Sequence, residues 1–258
     1  MKKTNLPDTE TSVSKGFPIV AIGASSGGLE AMTDLLRSIQ EKTGMAFLYL
    51  QYTGGEQTGD MLVKLREATS MTVEEGRHDV RLAPDTIYVI PADPEVQVVD
   101  GVLQLTRLNP RRKDQRLIDR FFTGLARSCK TGVLGVLLSG EEEDGAAGLK
   151  AIKIAGGFTF AQDETAAFDE MPKSAMTAGV VDLVLSPSEI GQELSKLGGQ
   201  ADAFSEMQIG SNMVSDSDEH LLNIIYRLRK ATGIHVTHYK ISTIKRRIIR
   251  RMLLYKLN

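Results

Sequence analysis

The stretch from Phe17 to Leu29, FPIVAIGASSGGL, constrains the fold of this chain more than any other. Pro18 to Ile22 read as a short buried strand and glycines dominate the turn after it. Leu29, Met32, Leu35, Leu36 and Ile39 then recur at helical spacing. A strand that passes straight into a helix across a tight turn is the opening of a βαβ unit. The theme repeats: Ala46 to Gln51 (AFLYLQ) is a second strand, Asp60 to Ala68 a helix with Met61, Leu62 and Leu65 on one face, and Met71 to Glu74 a third strand. Buried strands alternating with amphipathic helices predict an α/β fold, a doubly wound and mainly parallel sheet covered on both faces.

A different texture follows. Thr86 to Ile90, Val96 to Val99 and Val102 to Leu105 are β-rich, and Asp100-Gly101 between the last two predicts an antiparallel hairpin excursion. Asn109 to Asp114, NPRRKD, reads as a solvated basic loop. The α/β pattern resumes with a helix at Ile118 to Ala126 and the most apolar strand, Val133 to Leu138. After it come a helix at Ala146 to Ile154, a strand at Phe158 to Ala161, a helix near Lys173 to Thr177, a strand at Val181 to Leu185 and a helix at Pro187 to Leu197. The division that results is a polar, disordered leader at 1–16, an α/β domain at 17–197 and a linker at 198–215. A C-terminal α-helical segment occupies 216–258. In that segment Asp216 to Lys230 and Ile241 to Leu257 read as helices, the second strongly basic through Lys245, Arg246, Arg247, Arg250 and Arg251. Two helices cannot enclose a core, so the segment either docks on the α/β domain or begins another one.

With 41% apolar residues, 25% charged and a net charge of −2, nothing pulls the whole chain toward nucleic acid or into a membrane. The polar N-terminus lacks the apolar core of a signal peptide, which predicts a cytoplasmic protein. The single cysteine, Cys129, has no Cys or His neighbours at metal-ligand spacing and reads as an inert thiol.

Ligands in such sheets gather beyond the carboxyl ends of the strands. Residues found there are Ser25, Tyr52, Glu74 with Glu75, and Asp144. Gly23-Ala24-Ser25-Ser26-Gly27 fits G-x-S-x-G, in which a serine nucleophile sits on a tight strand-to-helix turn. Two other uses stay open, a phosphate cradle and a serine that caps the next helix, although the glycine spacing matches neither common phosphate motif. A serine nucleophile needs a base and an acid to orient the base. Asp144 is a candidate acid, or else an N-cap for the helix that begins at Gly145. None of the four histidines lies at a strand end. His78, the one in the α/β domain, is the possible substitute base, or an exposed loop residue. His220, His235 and His238 fall in the C-terminal segment.

The segments AIGASSGGLEAM (21–32), LLSGEEEDGAAGLKAIKIAGGFTFAQDETAAFDEMP (137–172) and AMTAGVVDLVL (175–185) resemble the catalytic domain of CheB, the chemotaxis receptor methylesterase. IIYRLRKATGIHVTHYKISTIKRRIIRRM (224–252) is similar to the N-terminal helical part of CheR, the receptor methyltransferase. Together they resemble the front of a CheB–CheR fusion. The resemblance implies hydrolysis of glutamyl methyl esters by a serine, a histidine and an aspartate, without cofactor or metal. Its partners would be methylated chemoreceptor-like proteins and an attached methyltransferase. The serine matches Ser25 and the aspartate Asp144, but the histidine position falls on Tyr52. A phenol with a pKa of about 10 is a poor proton acceptor at neutral pH. Where the family has methionine and glycine before the Asp-Gly pair, this chain has Glu141-Glu142-Glu143, negative charge beside a developing oxyanion. The expectation is an impaired or inactive methylesterase, or a non-catalytic binding and regulatory module for the methyltransferase. By resemblance Arg246, Arg247, Arg250 and Arg251 would face acidic receptor helices. Methyl transfer itself is not expected, because the sequence stops short of the S-adenosylmethionine-binding domain.

Overall fold

The computed structural model describes residues 17–40, 42–52, 58–91, 94–107, 116–129 and 132–199, with isolated residues at 223, 224, 226, 227, 230 and 231. The first βαβ unit is β1 (Ile19–Ala24), α1 (Gly28–Ser38) and β2 (Ala46–Gln51). Next come α2 (Thr58–Ala68), β3 (Thr72–Glu75), β4 (Val80–Arg81), β5 (Thr86–Val89), β6 (Pro94–Val99) and β7 (Val102–Arg107). The second half holds α3 (Leu117–Ser128), β8 (Val133–Leu137), α4 (Ala146–Ile154), β9 (Phe158–Gln162), α5 (Glu170–Thr177), β10 (Leu183–Leu185) and α6 (Pro187–Gly198).

A seven-stranded sheet runs β10-β9-β8-β1-β2-β5-β3, and every pairing in it is parallel. β6, β7 and β4 form a separate antiparallel sheet. The expected hairpin is present, and both turn residues, Asp100 (φ 48°) and Gly101 (φ 78°), take the left-handed conformation that a two-residue turn between twisted strands requires. One element departs from expectation. β5 belongs not to the antiparallel excursion but to the main sheet, between β2 and β3, where all four of its residues are buried. Its run of β-branched and aromatic residues, Thr-Ile-Tyr-Val, suits a strand covered on both faces.

Alternation along the strands divides the core into two layers. Val20, Ile22, Phe47 and Tyr49 face α1, α2 and α6 through Met32, Leu35, Leu65, Ile190 and Leu194. Ile19, Ala21, Leu48 and Leu50 face α3, α4, α5 and the small sheet through Phe121, Phe122, Leu149, Met171 and Val98. Each fully buried phenylalanine contributes about 2–3 kcal/mol of transfer free energy. Gly124 of α3 lets the small sheet approach, since a Cβ there would lie 2.2 Å from the Val96 carbonyl oxygen. The strand order reverses between β1 and β8. Their carboxyl ends therefore open a crevice, with α1 on one side of the sheet and α3 on the other.

The helix expected at 216–230 is sampled by five described residues, with Ala231 just past it, all helical and exposed, Tyr226 at 64%. The basic residues Arg246, Arg247, Arg250 and Arg251, the whole of the loop NPRRKD, and residues 1–16 lie outside the described residues.

Candidate active site

Backbone pairing runs one residue past the strand ends on both sides of β1. Tyr52 N–H donates to the Ala24 carbonyl at 2.9 Å, and Ser25 N–H donates to the Ser139 carbonyl at 3.0 Å. The β1–β2 register ends at Ala24 opposite Gln51, so Ser25 stands next to Tyr52. The β1–β8 register ends at Gly23 opposite Leu137, so Ser139 flanks Ser25 on the other side. Strand spacing sets each of these separations at about 4.8 Å. Ser25 is buried (7% exposed), yet its hydroxyl makes no hydrogen bond among the described residues.

The tight turn has its bend at Gly27 rather than at the serine. Gly27 has φ 72°, and a Cβ on it would sit 2.8 Å from Ser139 Oγ. On Gly28 a Cβ would press to 2.4 Å against Ala24 Cβ, and on Gly23 to 2.4 Å against Ile118 Cγ2. Glycine is therefore required at these positions on steric grounds. Gly27, which has no side chain, is also the N-cap of α1, and among the described residues the Ser26 hydroxyl bonds Glu141 rather than the helix, which removes the reading of the serine as a helix cap.

Ser139, completely buried, ties the loops around Ser25 together. Its hydroxyl donates to the Ser26 carbonyl (2.8 Å) and accepts from Phe168 N–H (3.0 Å), while its own N–H donates to Gln162 Oε1 (2.9 Å). Next to it, Gly140 lies so close that a Cβ would fall 2.8 Å from Ser25 Cβ. On the β2 side Gln51 Nε2 donates to the Ser25 carbonyl at 3.0 Å, and Gln51 Oε1 accepts from the Tyr49 hydroxyl at 2.6 Å. Burial, and after it the charge of Glu30, pushes the Tyr49 phenol well above its ordinary range, so this hydroxyl remains a donor.

Asp144 does not cap the helix that follows it. Its Oδ2 accepts from Ile118 N–H (2.9 Å), and Oδ1 accepts from Asp119 N–H (2.9 Å) and Gly145 N–H (2.7 Å), which closes the first turn of α3 instead. The cap on α4 comes from α3, through Asp119 Oδ1 accepting from Gly148 N–H at 2.7 Å. Burial raises the Asp144 carboxyl above its ordinary value, the three N–H donors oppose that, and the neighbouring charge of Asp119 adds to it.

Tyr52 is 47% exposed at the rim of the site. His78 lies beyond β3, the edge strand separated from β1 by β2 and β5, which places it about 14 Å away laterally at ordinary strand spacing. It is exposed, and its Nδ1 accepts from Leu105 N–H at 3.1 Å. Glu141, Glu142 and Glu143 are all exposed. Ser26 Oγ donates to Glu141 Oε2 at 3.0 Å, and Glu142 adopts a left-handed φ of 70°. A cleft of about 420 Å³ between α1 and α6, lined by Glu30, Asp34, Gln162 and Ser188, contains neither Ser25, Tyr52 nor Asp144. Among the described residues no group of three or more His, Cys, Asp or Glu is arranged to hold a metal.

Sequence reasoning brought Ser25 and Tyr52 to one place but passed over Gln51, Asp119, Ser139 and Gln162. Their common signal is a polar residue at or just past the end of an otherwise apolar strand, or in the first turn of a helix.

The family model described as CheB methylesterase matches residues 20–194. The chain is 35% identical over 180 residues to protein-glutamate methylesterase FrzG of Myxococcus xanthus, covering 69% of this chain and 54% of that protein. It is 33% identical over 180 residues to a protein-glutamate methylesterase/protein-glutamine glutaminase of Anaeromyxobacter dehalogenans, covering 69% and 53%. The chain thus spans about half the length of the curated relatives it matches. In fold it is similar to the crystal structure of the Thermotoga maritima CheB methylesterase catalytic domain, with a TM-score of 0.64, 24% identity, and 70% of this chain and 99% of that one covered. On the family match over residues 20–194, this chain belongs to the CheB methylesterase family.

Proposed function

We propose that residues 17–197 form a protein-glutamate methylesterase module of a sensory signalling protein whose ester hydrolysis is impaired because Tyr52 stands at the base position. The observation that carries this reading is the placement of Ser25 and Tyr52 each one residue past the paired ends of adjacent strands, with Tyr52 N–H bonded to the Ala24 carbonyl. A nucleophilic serine needs its proton removed as it attacks, and that proton must then reach the departing methoxide. A phenol with a pKa of about 10 does neither well near neutral pH. Loss of a triad base can lower turnover by about a millionfold. Asp144, in turn, has three backbone N–H donors on its carboxylate and serves the α3 terminus.

The relatives named as protein-glutamate methylesterases support the substrate class, methyl esters of glutamyl side chains on receptor-like partners. The tail from 216 onward is, on this reading, the start of a CheR-like helical domain. Its arginines Arg246, Arg247, Arg250 and Arg251 would meet acidic receptor helices in the cytoplasm. A second reading, a regulatory module for the attached methyltransferase, is favoured by the same tyrosine. His78 as a substitute base is the weakest, given its place beyond the edge strand and its bond to Leu105.

Methanol release from methylated receptor by wild type, Ser25→Ala and Tyr52→His separates these readings. Little or no release in wild type, with gain in Tyr52→His that Ser25→Ala abolishes, is the expected result. Strong wild-type release lost in Ser25→Ala would overturn the impaired reading, and loss in His78→Ala would then identify the base. No release by any variant would favour the regulatory module.

A further inference from the structure

The peptide bond between Ser25 and Ser26 is held from one side only. Its carbonyl accepts twice, from Gly28 N–H at 2.9 Å and from Gln51 Nε2 at 3.0 Å. Both donors belong to the α1 side of the sheet: Gly28 opens α1, and Gln51 follows Tyr49 by two residues, so their side chains share a face. In a trans peptide the N–H points opposite to the C=O, and no cis bond occurs among the described residues. Ser26 N–H is therefore turned away from α1. That is also the side taken by Ser25: a Cβ on Gly140 would meet both Ser25 Cβ, at 2.8 Å, and Met171 of the opposite layer. Ser26 N–H donates to no group among the described residues.

The Gln51 amide has only one orientation that satisfies its partners. The Ser25 carbonyl can only accept, so Nε2 must face it, and Oε1 must then receive the Tyr49 hydroxyl at 2.6 Å. Tyr49 is fully buried among the residues of the α1 layer, so its hydroxyl cannot swing away. Resting on the reading of Ser25 as nucleophile, we infer that Gln51 is a positioning residue. Oriented by Tyr49, it fixes the Ser25–Ser26 peptide so that Ser26 N–H faces the position where an ester oxygen gains charge. The N–H after a nucleophilic serine is a suitable oxyanion donor when it points to the hydroxyl's side of the turn.

Two measurements on the full chain test this. In ¹H–¹⁵N spectra of wild type, Gln51→Glu, Gln51→Met and Tyr49→Phe, the Ser26 and Gly28 amide resonances move in both Gln51 variants and less in Tyr49→Phe. The Gly148 resonance, at the remote α3–α4 junction, stays in place. Tyr49→Phe/Gln51→Met should match Gln51→Met alone, because Tyr49 acts through Gln51. In the Tyr52→His background, adding Gln51→Met lowers kcat by about 100-fold with KM unchanged, the size expected for a misdirected oxyanion donor. Unmoved Ser26 resonances in folded Gln51 variants, or additive effects of Tyr49→Phe and Gln51→Met, would overturn the inference. If Tyr52→His releases no methanol, the catalytic reading of Ser25 fails, while the spectra still decide whether Gln51 orients the peptide.

Discussion

Asp119 and Asp144 cap each other's helices: the carboxylate of Asp144 receives the Ile118 and Asp119 N–H groups of α3, and that of Asp119 receives the Gly148 N–H of α4. Two buried acidic side chains thereby satisfy backbone donors that helix termini leave without partners. Asp144→Ala strands three N–H groups and should destabilise the domain by about 2–3 kcal/mol. Asp144→Asn keeps the bonds to Oδ1, loses the Ile118 bond and should cost about 1 kcal/mol. The pH dependence follows from the raised carboxyl. A folded pKa above the unfolded one means that the folded state holds the proton more tightly. Stability from this group is therefore lost as pH rises from the ordinary carboxylate range through the raised value. Urea unfolding across that range should show this decline in wild type and its absence in Asp144→Asn.

Ser139→Ala tests the junction beside the site. Removing the hydroxyl takes from the Ser26 carbonyl and Phe168 N–H the partner they share at a part-buried junction. A loss of about 2 kcal/mol is expected, with Ser139→Thr closer to wild type. Denaturant midpoints for the two variants decide it, and equal midpoints for Ala and wild type would refute the junction's role.

Much of this was legible in the sequence because burial on both faces writes itself into composition. Each main-sheet strand except the short edge ones is an apolar run, and the Gly-rich turn announced Ser25. The departures have a physical source. β5 could not be assigned to the main sheet because four β-forming residues, Thr86 to Val89, fit a hairpin and a parallel strand equally well. Asp144 looked like the cap of the next helix in sequence, but Gly145 at φ 92° turns the chain so that the carboxylate meets α3 instead. Long-range capping of this kind, 25 and 29 residues apart, leaves no local pattern to read.

Glu142 holds φ 70° without the freedom of glycine, in the loop between β8 and α4. Glu142→Gly should relieve the strain and stabilise the fold by about 0.5–1 kcal/mol. It also removes one negative charge from the rim of the site. Thermal unfolding gives the sign directly, and a lower melting temperature would show that the glutamate makes a compensating contact.

Cys129, at the C-terminus of α3, has its thiol pushed up to about 12, mainly by burial. Its thiolate fraction at pH 8 is then about one in 10⁴, and thiolate is the reactive form. Ellman's reagent should leave the native thiol largely untouched and titrate it after unfolding in urea. Rapid labelling of the native protein would contradict the raised thiol of this half-buried residue.

Tyr52→His carries the sharpest kinetic prediction. An imidazole placed one strand over from Ser25 gives the site a group that accepts a proton near pH 6.5 and can return it to methoxide. Hydrolysis by this variant should rise with pH through the imidazole's pKa and level off above it. Asp144 is already engaged with three N–H donors, so it can hold the new imidazole only weakly. Rates should therefore remain far below those of a complete triad. Neutralising the rim with Glu141→Gln in the Tyr52→His background should then raise kcat by several-fold. A negative charge at the rim opposes a developing oxyanion, with solvent screening keeping the effect modest because Glu141 is exposed. A pH–rate profile for the two variants checks both parts. A flat profile would mean that the introduced imidazole does not reach Ser25, and an unchanged kcat on removing Glu141 would place that carboxylate too far away to act.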